Sequence, residues 1–136
     1  MKAIYEPKED VAIEATVKLA HWWPARPWHV QLEGREVVDI GPFTPNELAR
    51  FKNGRLKYVT KAFVELRPYM VLAAFSECSK GDQPERWEGR ARALGRLVRI
   101  LESLGIAVSM TGEESEKYHA EQEALTERNT RRESQS

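Results

Sequence analysis

The side chains that most often bind metals or act as nucleophiles are few and scattered in this chain: His21, His29, His119 and the single cysteine, Cys78. A metal centre needs three or four such ligands, or carboxylates, at intervals that one fold can close, and no familiar interval occurs here. Only His21 and His29 lie near one another, at the two ends of HWWPARPWH, where they read as loop histidines beside tryptophans. Cys78 closes an apolar run without an activating signature and reads as a buried, inert thiol. The stretch GRARALG has neither the glycine-rich turn nor the Lys-Ser/Thr pair of a phosphate-binding loop. The expectation is a protein without catalytic residues, metal or cofactor.

Residues suited to binding are better represented. Two prolines and three tryptophans fall within His21 to His29, and each proline removes a backbone donor and stiffens the chain around it. Aromatic side chains with an arginine among them have the composition of interface anchors, so Trp22, Trp23 and Arg26 are the first candidate partner-binding residues. Alternation along the preceding strand turns one of Trp22 and Trp23 inward and the other outward. A second candidate surface is the stripe Arg92, Arg96 and Arg99. Glu88 stands four residues before Arg92 and Glu102 three after Arg99, spacings that make solvated helix pairs, and Arg96 has no such neighbour. Lys57 and Lys61, placed on the outer face of their strand, would add a secondary basic patch.

The 136 residues suit one domain with one real core. Net charge is zero, but residues 113–136 hold seven acidic and four basic side chains, so that segment carries −3 and the first 112 residues carry +3. That mild surplus is smaller than dedicated nucleic-acid binders show, since phosphate neutralisation supplies most of their affinity. No apolar run approaches the ~18 residues of a membrane span. A single cysteine and no apolar leader are the pattern of a cytoplasmic protein.

The elements that must position these residues follow from periodicity and punctuation. Residues 84–105 predict one long helix, with Asp82 or Gln83 as cap, Pro84 at its first position, Gly105 as its stop, and Trp87, Ala91, Leu94, Leu97, Val98, Leu101 and Leu104 on its core face. In FTPNEL, Thr44 caps, Pro45 opens and Glu47 completes a capping box; Asn53-Gly54 ends this short helix over 45–52. Val11 to Leu19 alternate as a half-buried strand, Lys2 to Tyr5 form a short strand, and His29 to Ile40 make a hairpin. Leu56 to Leu66 fit both strand and helix; the β-branched Val59, Thr60 and Val64 favour strand, and an apolar strand follows Pro68. Ile106 to Met110 form a last short strand.

The predicted architecture is a single α+β domain over residues 1–112, an antiparallel or mixed sheet of five or six strands packed by the two helices. Residues 113–136 form a polar tail, partly helical or mobile, too poor in apolar side chains to order alone; its removal should leave the domain folded. The functional expectation is a non-catalytic interaction module, a small binder or inhibitor docking on a protein or ribonucleoprotein assembly, as accessory proteins of phages and mobile elements often are, with no membrane partner. The rival is a nucleic-acid binder, its arginines tracking phosphates and a loop tryptophan stacking on an unpaired base.

Overall fold

The computed structural model describes residues 1–8, 11–22, 28–32, 35–39, 43–51, 56–67, 70–79 and 86–134, and of 28–32, 35–39, 48, 56, 57, 79, 86 and 132–134 the backbone alone. The chain is an α+β fold whose elements run β1 (Lys2–Tyr5), β2 (Ile13–Thr16), β3 (Lys18–Trp22), β4 (Trp28–Leu32), β5 (Arg35–Asp39), α1 (Pro45–Phe51), β6 (Leu56–Arg67), β7 (Met70–Ser79), α2 (Arg86–Ser103), β8 (Ala107–Ser109) and α3 (Gly112–Ser134). Instead of one sheet, the described strands make two three-stranded antiparallel sheets, β2-β1-β8 and β3-β6-β7, and the separate hairpin β4-β5. The division falls within the long alternating stretch. At Val17, whose amide is bonded to the Met1 carbonyl, the chain leaves β1 as its partner and takes β6. Val11 stands outside the strand and is exposed.

β6 is a strand throughout, paired on both sides, which resolves its double periodicity: Tyr58, Thr60, Ala62, Val64 and Leu66 face one way, Val59, Lys61, Phe63 and Glu65 the other. The first face packs on α2, where Ala62, Val64, Leu66 and Ala74 meet Ala93, Leu97 and Leu101. Many of these side chains are alanines, so helix and sheet approach closely. A Cβ built on Gly89 would come within 2.8 Å of the Thr60 hydroxyl, which explains a glycine inside a helix.

α2 ends as expected. Gly105 has φ +75°, and the amides of Gly105 and Ile106 bond back to the carbonyls of Glu102 and Leu101. The turn puts Ile106 inside and leaves Leu104 57% exposed, so Leu104 does not belong to the core face predicted for it. Ala93, outside that predicted face, is fully buried, because α2 is covered on two sides, by the sheet and by α3. The residues expected to cap its start, 82–84, lie outside the described residues, as do Asn53-Gly54 and Pro68.

The segment read as a polar tail is the longest helix. Its start carries a capping box like that of α1: the Thr111 hydroxyl accepts from the Glu114 amide at 3.2 Å and the Glu114 carboxylate accepts from the Thr111 amide at 2.9 Å. The Met1 amino group beside Glu114, with the Thr111 amide, holds that carboxyl down at about 2. α3 docks along α2 through Leu125, which is buried, and through Gln122, whose side-chain amide donates to the Ala91 carbonyl at 2.8 Å. Arg90 pairs with Glu121, and Arg128 with Glu88, around that apolar contact.

At α1, Thr44 and Glu47 form the predicted box, amide to carboxylate 2.9 Å and amide to hydroxyl 3.2 Å. Thr44→Ala should cost about 1 kcal/mol in urea melts, since the helix loses one of its first hydrogen-bond acceptors while Glu47 stays in place. Phe43, just before the cap, is buried; the Leu48 side chain lies outside the described residues.

Candidate functional site

The second face of the β3-β6-β7 sheet is covered by α1 over a small aromatic core: Trp22, Phe43, Phe51 and Val59 are buried, with Ala20 and Phe75 packed against them. Trp22 was expected as a partner-binding anchor and is corrected here. It pairs with Val59 across the ladder, is 7% exposed, and its ring lies 6.1 Å from that of Phe43. Being the inward member of its alternating pair, it fills the core under α1. Trp23 and Arg26 lie outside the described residues.

Lys61 is also inward, not on the outer face. Its side chain is 3% exposed, and its ammonium donates to Glu47 at 2.7 Å, to the same oxygen that caps Thr44. The rings of Phe63, Phe43 and Phe75 stand 5.2, 5.8 and 5.9 Å from the ammonium nitrogen. The register dictates this: Lys61 sits opposite Phe75 in the same face as Val59, directly beneath α1. Lys61→Met should cost about 2–3 kcal/mol, because it removes one partner of a largely buried ion pair and leaves the partly exposed Glu47 carboxylate with the Thr44 amide alone. Thermal melts check it. Lys57 has its side chain outside the described residues, so the secondary basic patch loses Lys61 and is untraced at Lys57.

The arginine stripe divides. Arg92 is taken up between the helices, donating to Glu88 at 2.8 Å and to Asn129 of α3 at 3.0 Å, and is thereby corrected as a free binding residue. Arg96 and Arg99 stay exposed. They face a groove of about 450 Å³ along β7, whose opposite wall is Arg50 of α1 together with Phe75 and Glu77. Arg50, whose side chain is 68% exposed, lies over the rings of Phe51 and Phe75 and 4.0 Å from the Glu77 carboxylate. Arg96 donates to the Phe75 backbone carbonyl. β7 is the last strand of its sheet among the described residues, so this carbonyl belongs to an unpaired edge. Arg50 was missed in the sequence because its own helix supplies no periodic basic stripe; only the packing of α1 across the sheet brings it opposite Arg96.

A smaller cavity, about 240 Å³, opens between α2, α3 and the β2-β3 crossing, lined by Val17, Leu19, Leu94 and Tyr118 with Arg90 and Glu121 at its rim. Burial, with Glu102 nearby, pushes the Tyr118 hydroxyl up, and Arg99 opposes this. His21 stacks on Tyr58, and its Nδ1 is shared by the Tyr58 hydroxyl and by that of Thr60, 3.2 Å away. His119 lies on the exposed side of α3, Cys78 is half-buried in β7, and the His29 side chain is outside the described residues. Among the described residues no three His, Cys, Asp or Glu side chains gather as a metal site would require, and no helix is long and apolar enough to cross a membrane. No protein-family model, curated protein or solved structure matches the chain.

Proposed function

We propose that this chain is a non-catalytic cytoplasmic interaction protein, a small binder or inhibitor that docks on a larger macromolecular assembly, and that its binding surface is the groove along β7. One observation carries the reading: Arg50 from α1 and Arg96 and Arg99 from α2 converge on the edge of a strand that is unpaired among the described residues, with Glu77 as the carboxylate in the groove. Guanidinium groups hold carboxylates and phosphates by paired, charge-assisted hydrogen bonds, and an exposed edge adds backbone donors and acceptors to them. Trp22 belongs to the core and drops from the anchors, while Trp23 and Arg26 lie outside the described residues.

The test is the variant Arg50→Glu, Arg96→Glu, Arg99→Glu, compared with the unaltered chain in affinity purification from the native host. Native-like melting with loss of the captured assembly is the expected result; capture unchanged by the three reversals would move the surface elsewhere. The nucleic-acid alternative is separated by gel shifts across a salt series, since binding to phosphates weakens steeply with salt.

A further inference from the structure

The edge of β7 specifies more than positive charge. Arg96 bonds the Phe75 carbonyl from outside the sheet, so Phe75 turns its backbone groups away from β6. In an antiparallel ladder this alternates, and the register is unbroken from Glu65↔Val71 to Val59↔Glu77. Val71, Ala73, Phe75 and Glu77 therefore all present N–H and C=O groups outward, over a length of about 20 Å. The arginines bracket this row from opposite faces. Arg50 stands on the face that carries Phe75 and α1, Arg96 and Arg99 on the face that carries Ala74 and α2.

We infer, resting on the reading above, that the groove's occupant is an extended acidic peptide segment that adds to β7 as a further strand. Successive side chains of a strand point to opposite faces, so its acidic residues lie at adjacent positions, or an odd number apart, one reaching Arg50 and the other Arg96 and Arg99. Arg96 leaves the Phe75 carbonyl when the incoming amide takes its place. Two rival occupants fit less well. A nucleic-acid backbone offers phosphate acceptors to the arginines but cannot match an alternating row of donors and acceptors. A second copy of this chain, edge to edge, would set two groups of arginines against each other.

The probe is a labelled peptide, acetyl-Thr-Val-Thr-Glu-Asp-Thr-Val-Thr-amide, read by fluorescence anisotropy and by amide hydrogen exchange on the full chain. Its controls are the same composition with the acids two apart, a form N-methylated along one backbone edge, and an oligothymidylate. The expected result is saturable binding, weakened about tenfold or more by Arg50→Glu and by Arg96→Glu with Arg99→Glu, with slowed exchange at Val71, Ala73, Phe75 and Glu77. The adjacent-acid peptide should also bind tighter than the respaced one, and N-methylation should abolish binding. If the N-methylated or the respaced peptide binds equally well, and the arginine variants still weaken it, strand addition is overturned while the basic groove stands. Binding indifferent to all three arginines overturns both, and oligothymidylate binding without peptide binding overturns the peptide in favour of nucleic acid.

Discussion

Trp22→Ala should destabilise the protein by about 3–5 kcal/mol, the range for emptying a buried aromatic site, and so consume much of the ~5–15 kcal/mol that holds a domain of this size together. Its indole lies against Phe43 and shares a cluster with Phe51 and Val59, so alanine leaves a gap among rigid rings. The loss extends beyond the cavity. This cluster seats α1, and α1 carries both Arg50 and the Glu47 that receives the Lys61 ammonium. A urea melt measures the loss directly, with Trp22→Phe as the milder companion, since a smaller ring still meets Phe43. If Trp22→Ala melts like the original chain, the tryptophan is not the seat of α1.

Removal of residues 113–136 should cost about 3 kcal/mol or more and lower the melting temperature by roughly 10–20 °C. Composition suggested a dispensable segment, but docking of α3 buries Leu125 and sets Arg128 over the Trp87 ring and Gln122 on the Ala91 carbonyl of α2. Without α3 that side of α2 would face water. The surrounding pairs, Arg90 with Glu121 and Arg128 with Glu88, are partly exposed and add little each, so the apolar contact is the main term. Leu125→Ala in the full-length chain isolates it and should lose about 2–3 kcal/mol, near the lower end for such truncations because two helices can close on the gap. Calorimetry on both proteins decides the matter; a truncated chain with an unchanged melting temperature would show α3 to be an appendage.

Both expectations bear on binding as well as stability. α3 holds Arg92 through Asn129 and leaves Arg96 and Arg99 open, so its removal leaves Arg92 on Glu88 alone and more open to solvent, and should alter the salt dependence of any anionic partner's association. The Trp22 variant, by contrast, should weaken binding only as far as α1 and its Arg50 are displaced.

The sequence by itself determined the features whose causes are local. Two capping boxes, Thr44 with Glu47 and Thr111 with Glu114, are readable as a hydroxyl and a carboxylate three residues apart, and Gly105 as a stop, because a helix end is satisfied by residues within one turn of it. The second box is equally local, although the polar composition after it reads as a tail. The core stripe of α2 followed from periodicity, which burial on one face enforces, and the strand character of β6 from its β-branched Val59, Thr60 and Val64, since its periodicity alone suits a helix as well. What only the tertiary structure decided is everything that depends on two surfaces meeting. Periodicity sorts Lys61 onto one face of β6 but cannot say that α1 closes over that face, and a lysine alone reads as exposed because burying its charge needs a carboxylate that arrives from fourteen residues away. The arginine stripe was visible as a spacing, yet whether each guanidinium met a carboxylate, a backbone carbonyl or solvent was fixed by α3 on one flank and the edge of β7 on the other. Arg50 joins Arg96 and Arg99 only because α1 and α2 pack on opposite faces of one sheet and overhang the same strand, a relation between elements far apart in the chain that no local pattern encodes.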